Sequence, residues 1–194
     1  MKPLQNLVQK VKIEKQVGSL DFLIEKIAFD SREVSPKTLF VATRGTQTDG
    51  HNFIKMAIEK GASAIICEDF PTDLESGITY LQVKNSAEAL GIVASNFYEN
   101  PSKKLKLVGI TGTNGKTTTV SLLFELFRRL GYNVGLLSTI QNQINEEIIP
   151  STHTTPNPIE LNRLLAQMVA QKCTHVFMEV SSHALVQGRV VGLD

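Results

Sequence analysis

Gly109-Ile110-Thr111-Gly112-Thr113-Asn114-Gly115-Lys116-Thr117-Thr118 lies between an apolar run, Leu105 to Ile110, and an amphipathic one, Lys116 to Leu130. A glycine-rich turn between a strand and a helix is the context in which backbone N–H groups wrap a phosphate. Gly112 and Gly115 let the backbone turn inward, and the helix behind them adds the positive end of its dipole. Lys116 supplies a point charge for the β and γ phosphates, and the Thr117 hydroxyl suits a magnesium ion that bridges them. The expected nucleotide cradle is therefore Gly112, Thr113, Asn114, Gly115, Lys116, Thr117 and Thr118. The general pattern wants a glycine at 110, where this chain has Ile, and Gly109 comes one residue too early, so the loop is a variant. A glycine-rich turn that bound nothing would not need the lysine and the two threonines.

The pattern around the loop sets the fold class. Downstream, Val134 to Thr139 reads as a strand, Ile159 to Gln171 as a helix with Pro158 near its first turn, and His175 to Val180 as a strand. Strands alternating with helices imply a parallel sheet with helices on both faces. Upstream, Ile24 to Phe29 and Thr38 to Ala42 read as strands, separated by Asp30-Ser31-Arg32 and a turn at Ser35-Pro36-Lys37, where proline lacks a donor. Phe53, Ala57 and Ile58 recur at helical spacing until Gly61. Ala62 to Cys67 and Tyr80 to Val83 are buried-strand patterns, and a helix from Ser86 to Tyr98 stops at Asn100-Pro101. The class is α/β: a small N-terminal α/β domain, then the first part of a phosphate-loop parallel-sheet domain. Ser102-Lys103-Lys104 reads as a linker, which places the domains at 1–104 and 105–194. The second has about three strands, where a doubly wound sheet has roughly 5 or 6, so it reads as the front of a longer domain.

Lys plus Arg is 20 and Asp plus Glu is 19 among 194 residues, a net charge of +1. That balance argues against a nucleic-acid or membrane-surface partner. Lys2, Lys10, Lys12, Glu14 and Lys15 break the N-terminal stretch, which leaves no apolar run for a signal peptide or membrane span. Cys67 and Cys173 form no CxxC pair and sit in or beside apolar stretches, so reduced thiols and a cytoplasmic location are expected. His51, His153, His175 and His183 show no metal-site spacing. No Asn-Lys-x-Asp run reads a guanine base. Glu179 follows the apolar Val176-Phe177-Met178 at the end of a strand, where open α/β sheets collect ligands. With Thr117 it is the expected magnesium ligand, and with Lys116 the expected catalytic pair.

The loop form Gly112 to Thr118 resembles that of the Mur ligase family. Three more segments resemble its tripeptide-forming members: Asp30-Ser31-Arg32 with Leu39-Phe40-Val41-Ala42, Gly45 and Asp49-Gly50-His51; Thr154-Thr155-Pro156; and Glu179 through Arg189. They run in family order along nearly the whole chain. The resemblance implies ATP and Mg²⁺ as cofactors. The implied substrates are UDP-N-acetylmuramoyl-L-alanyl-D-glutamate and a diamino acid, joined through an acyl phosphate in peptidoglycan precursor synthesis. It implies substrate contacts from Phe29 and Ser31 near the UDP diphosphate and from Thr46 and Gln47 on the uridine side. His153, Thr154 and Thr155 would hold the muramoyl-peptide arm, followed by Ser181, Gln187 and Arg189, whose planar fork suits an oxyanion.

Full members of that family also carry a lysine modified to a carbamate, an Asp-His motif and a third domain for the incoming amino acid. None is present by Asp194. The choice between meso-diaminopimelate and L-lysine therefore stays open, as does the oligomeric state, and the 194-residue chain alone is expected not to turn over. Two other classes compete with the ligase: a non-catalytic UDP-sugar-binding module, and an unrelated phosphate-loop ATPase or kinase acting on a small molecule.

Overall fold

A computed structural model describes residues 1–45, 48–151 and 153–194. Two compact units form, Met1–Phe97 and Tyr98–Asp194. The division falls before Lys104 because the 3-10 turn Pro101–Lys104, with Pro101 and Ser102 buried, packs on a helix of the second unit.

In the first unit the order is β1 (Lys2–Pro3), α1 (Leu4–Leu7), β2 (Ile13–Val17), β3 (Leu23–Ile24), β4 (Lys26–Ala28), β5 (Thr38–Val41), α2 (Ile54–Glu59), β6 (Ala62–Cys67), β7 (Thr79–Val83) and α3 (Ser86–Phe97). The main sheet runs β2-β7-β6-β5-β4, with β4 to β7 parallel and β2 antiparallel at one edge. Phe40, Ile65 and Tyr80 join Ile54 and Ala57 of α2 in one buried cluster. Leu39, Val41, Ile66 and Leu81 alternate with them and are fully buried too, on the side of α3. Burial on both faces explains why β5 and β6 are continuous apolar runs. The Asn85 side chain accepts the Glu88 N–H and so caps the start of α3.

The second unit runs β8 (Lys106–Ile110), α4 (Lys116–Arg129), β9 (Val134–Leu137), β10 (Gln141–Ile144), β11 (Glu147–Pro150), α5 (Pro158–Ala170), β12 (His175–Glu179) and α6 (Ser182–Val186). Its sheet order is β11-β10-β9-β12-β8, with β8, β12 and β9 parallel and an antiparallel hairpin, β10–β11, added beside β9. The three parallel strands match the expectation, and the hairpin brings the sheet to five. Val120 and Phe124 of α4 pack on Val134, Leu136 and Phe177. Leu161, Leu164, Leu165 and Met168 of α5 pack on Leu137, Val176 and Met178. Phe177 alternates with Val176 and Met178, so the two helices cover opposite faces, as a parallel sheet requires. Gly135 allows α5 to lie close, since a Cβ there would run into the Met168 thioether. Asn157 caps α5 by accepting the Glu160 N–H, with Pro158 in the first turn.

Both cysteines are free and buried. Burial pushes the Cys67 thiol up to about 12 and Cys173 up to about 11. Both therefore stay protonated near neutrality, and the thiolate is the reactive form. At about pH 8 a thiol reagent is expected to label neither cysteine in the native protein and both after denaturation. Rapid labelling of the native chain would contradict this packing.

Candidate functional site

Three parallel strands of the second unit end side by side. Glu179 pairs with Ile110 at the end of β8, and the Val180 N–H bonds the Ile110 carbonyl at 2.9 Å. The phosphate loop leaves β8 at that point, so Glu179 lies one strand from its base. Gly112 and Gly115 have φ of +144° and +81°, backbone that a residue with a Cβ rarely adopts. Gly115 caps α4, whose 14 residues give a full dipole behind the loop. Lys116 Nζ donates to the Gly112 carbonyl at 2.7 Å, which lays its ammonium across the loop. Thr113, Asn114 and Thr118 are exposed, and Thr117 is half-buried in the first turn of α4.

Glu179 is 1% exposed. Its described side-chain partners both belong to Thr139, two residues past β9: the Thr139 N–H donates to Oε1 at 2.8 Å and the hydroxyl to Oε2 at 3.3 Å. A carboxylate can accept about four hydrogen bonds. A buried anion with acceptor capacity to spare and no cation among its described partners fits a metal ion or its waters. The one Thr139 hydroxyl proton goes to the carboxylate, so the Thr154 hydroxyl, 3.1 Å away, donates to Thr139 Oγ1, which joins the threonine pair to the same cluster.

Thr155 is buried, and its hydroxyl donates to the Glu179 carbonyl at 2.9 Å and accepts the Ser181 N–H at 3.1 Å. Arg189 Nη1 donates to the Thr155 carbonyl at 2.7 Å, and Nε donates to Gln187 Oε1 at 2.9 Å. Ser181 caps α6 through the Ala184 N–H. Thr154, Thr155, Glu179, Ser181, Gln187 and Arg189 therefore form one hydrogen-bonded cluster at the carboxyl ends of the strands. His153 is exposed, with its carbonyl accepting from Ser151 Oγ. His183 is exposed on α6. His175 packs at a tilt against Phe127 and edge-on to Tyr132, with ring centroids 4.7 and 5.0 Å away, and burial holds its pKa below the usual histidine value.

Replacing Thr155 with Val would keep the shape but leave the Ser181 N–H without its acceptor and the Glu179 carbonyl without its donor. Such a loss costs about 1–3 kcal/mol. Urea unfolding of T155V is expected to show a stability lower by that amount, read as a lower midpoint at an unchanged m-value; an unchanged midpoint would contradict the role of this hydroxyl.

In the first unit, Ser31 opens a 3-10 turn directly after β4, and Asp30 caps that turn by accepting the Arg32 N–H. The Arg32 side chain also donates to the Asp30 carboxylate and holds its pKa below the usual range. Ser31 is 6% exposed, with its hydroxyl on the Met56 sulfur at 3.5 Å, and Phe29 beside it is half-buried. Thr46 and Gln47 lie outside the described residues.

Sequence reasoning passed over Thr139, which is the direct partner of Glu179. Only its place at the end of a parallel strand next to β12 would have marked it. Among the described residues no group of three or more metal-ligating side chains is clustered, and no helix is long and apolar enough to cross a membrane.

Known proteins match this arrangement in two parts. The family described as "Mur ligase family, catalytic domain" matches residues 23–98, and the "Mur ligase middle domain" matches residues 110–194. The chain is 56% identical to the UDP-N-acetylmuramoyl-L-alanyl-D-glutamate–2,6-diaminopimelate ligase of Cytophaga hutchinsonii, over 98% of this chain and 40% of that protein. It is 53% identical to the ligase of the same name from Bacteroides fragilis, over 100% of this chain and 39% of the relative. A solved structure of a ligase of that name covers 99% of this chain and 38% of its own, with a TM-score of 0.78 at 24% identity, which supports the fold. The chain thus spans about 40% of the length of the curated relatives it matches. With one Mur ligase domain matched in each unit, in order, and more than half its residues shared with these ligases, the chain belongs to the Mur ligase family.

Proposed function

We propose that this chain binds ATP and the UDP-muramoyl dipeptide in an ATP-dependent ligase. The ligase adds a diamino acid to UDP-N-acetylmuramoyl-L-alanyl-D-glutamate in peptidoglycan precursor synthesis, in the cytoplasm. One observation carries the reading: buried Glu179 stands beside the base of the phosphate loop and shares a hydrogen-bonded cluster with Thr139, Thr154, Thr155 and Arg189. A phosphate-binding element and an oxyanion-binding fork at the same strand ends suit phosphoryl transfer to a carboxylate. The relatives' names favour 2,6-diaminopimelate as the amine. Met1–Phe97 serves as the UDP-muramoyl unit and Tyr98–Asp194 as the ATP unit.

In this reading the loop N–H groups and the α4 dipole hold the ATP phosphates. Lys116 exchanges the Gly112 carbonyl for the β and γ phosphate oxygens. Thr117 and Glu179 would hold Mg²⁺, which would supply positive charge where two anions must meet. The substrate's terminal carboxylate oxygen attacks the γ phosphorus, ADP leaves, and an acyl phosphate forms. The amine then attacks the acyl carbon, phosphate leaves, and the amine gives up a proton as the amide forms. Arg189 steadies the muramoyl-peptide arm, its N–H groups not committed to Gln187 and the Thr155 carbonyl being the donors left for an oxyanion. Ser181 and Gln187 line that arm beside it, with His153 at its outer end. Phe29 and Ser31 meet the UDP diphosphate, and Thr46 and Gln47 the uridine.

The test is an isotope-transfer assay on the protein as its cell produces it. Dipeptide substrate labelled with ¹⁸O in the terminal carboxylate is supplied with ATP, Mg²⁺ and 2,6-diaminopimelate. Labelled phosphate is expected in step with amide formation. Amide formation with unlabelled phosphate would rule out the acyl phosphate, and phosphate release independent of the dipeptide would favour an unrelated ATPase.

A further inference from the structure

Asp49-Gly50-His51 has no part in the roles assigned so far. It closes a turn that leaves the carboxyl end of β5. The Gly45 N–H bonds the Thr48 carbonyl at 3.0 Å, the Gly50 N–H bonds the Thr43 carbonyl at 2.9 Å, and Arg44 bridges Asp49 through the backbone. Gly50 has no room for a side chain, since a Cβ would sit 2.7 Å from the Thr43 oxygen and 2.8 Å from its nitrogen.

His51 ties this turn to the neighbouring strand. Its Nε2 accepts the N–H of Glu68, the first residue past β6, at 2.8 Å, and its Nδ1 lies 2.6 Å from Asp49 Oδ1. A ring nitrogen that accepts from an amide carries no proton, so the proton sits on Nδ1 and is donated to Asp49. Backbone and side-chain bonds from His51 hold the Asp49 carboxyl below its usual range. Glu68 is itself a hub. Its carbonyl accepts from Gln82, its Oε1 accepts the N–H and hydroxyl of Ser86 at the start of α3, and its Oε2 pairs with Arg44 Nε at 3.2 Å. Arg44 also pairs with Asp69. The ends of β5, β6 and β7 and the start of α3 are thereby locked together, at the strand edge from which β4 leads into Ser31.

We infer that His51, with Arg44 and Glu68, positions the described residues on either side of that turn, Arg44–Gly45 and Thr48–Gly50, for binding of the uridine diphosphate part of the substrate. Both ring nitrogens are committed to protein partners, so His51 acts through the turn and not on the substrate. Flanking backbone held in place before binding spares the complex the cost of ordering it. The inference rests on the reading of the first unit as the sugar-nucleotide unit.

The test titrates wild type, His51→Phe and His51→Gln with UDP-N-acetylmuramoyl-L-alanyl-D-glutamate and, separately, with MgATP, at a temperature where circular dichroism shows all three folded. His51→Phe keeps the ring volume and loses both bonds; it is expected to weaken dipeptide binding about tenfold or more. His51→Gln puts an amide oxygen where Nε2 stood and should recover most of that loss, while MgATP affinity stays constant throughout. Arg44→Gln, at a half-exposed side chain that threatens the fold less, should also weaken the dipeptide several-fold. Wild-type affinity in both His51→Phe and Arg44→Gln overturns the inference and leaves the ligase reading standing. It is equally overturned if His51→Phe does not fold and Arg44→Gln binds as wild type does. Failure of the folded wild type to bind the dipeptide overturns both.

Discussion

Lys116→Ala is expected to cut ligation roughly a hundred- to a thousand-fold and to weaken MgATP about ten- to a hundred-fold, with little change in stability. Lys116 Nζ reaches the Gly112 carbonyl at 2.7 Å, so its charge already lies over the loop where the phosphates would sit. Hydrogen bonds to charged groups are stronger than neutral ones, and one that tightens as charge moves onto the transferring phosphoryl lowers the barrier directly. The side chain is only half-buried, so truncation opens no cavity. Lys116→Arg should not rescue, because a planar fork cannot stand in for a compact ammonium inside a tight loop. Nucleotide titration and steady-state rates check both parts. Near-wild-type turnover in Lys116→Ala would remove the loop from the chemistry.

Glu179→Gln is expected to divide activity from stability. Gln keeps the size and an oxygen for the Thr139 N–H, and the Thr139 hydroxyl can accept from the new amide. What disappears is a negative charge held at 1% exposure with no cation among its described partners. Such a charge costs the fold its hydration, so its removal should leave the unfolding midpoint equal or higher. Turnover should fall roughly a hundred-fold or more, and the Mg²⁺ concentration needed for half-maximal rate should rise. Loss of stability together with normal Mg²⁺ dependence would make Glu179 a structural residue and defeat the metal assignment.

Contiguity decided what could be read from the sequence. The phosphate loop is a single local segment, and both its glycines take the positive φ their identity suggests. Strand β6 is a plain apolar run with bounds that match the expected ones, Ala62–Cys67. Ile24 to Phe29 looked like one strand, but Leu23–Ile24 pairs with β1 and Lys26–Ala28 pairs with β5, a break at Glu25 that only the partners dictate. Strand β2 passed unread because Glu14-Lys15-Gln16 occupy its middle on an edge that faces water. The β10–β11 hairpin was hidden by Asn142 and Gln143, polar residues that are buried here, and its single local mark was Asn145 at φ +54°. The Thr139–Glu179 contact spans 40 residues, and only the pairing of β9 with β12 brings the two together.

Recognition of the muramoyl dipeptide by this chain is measured directly by calorimetry on the folded 194-residue chain. With UDP-N-acetylmuramoyl-L-alanyl-D-glutamate as ligand and UDP-glucose as control, binding at least about tenfold tighter to the dipeptide, weakened by Arg189→Ala, is the predicted result. A folded chain that binds the two equally, or binds UDP-glucose and not the dipeptide, would contradict it.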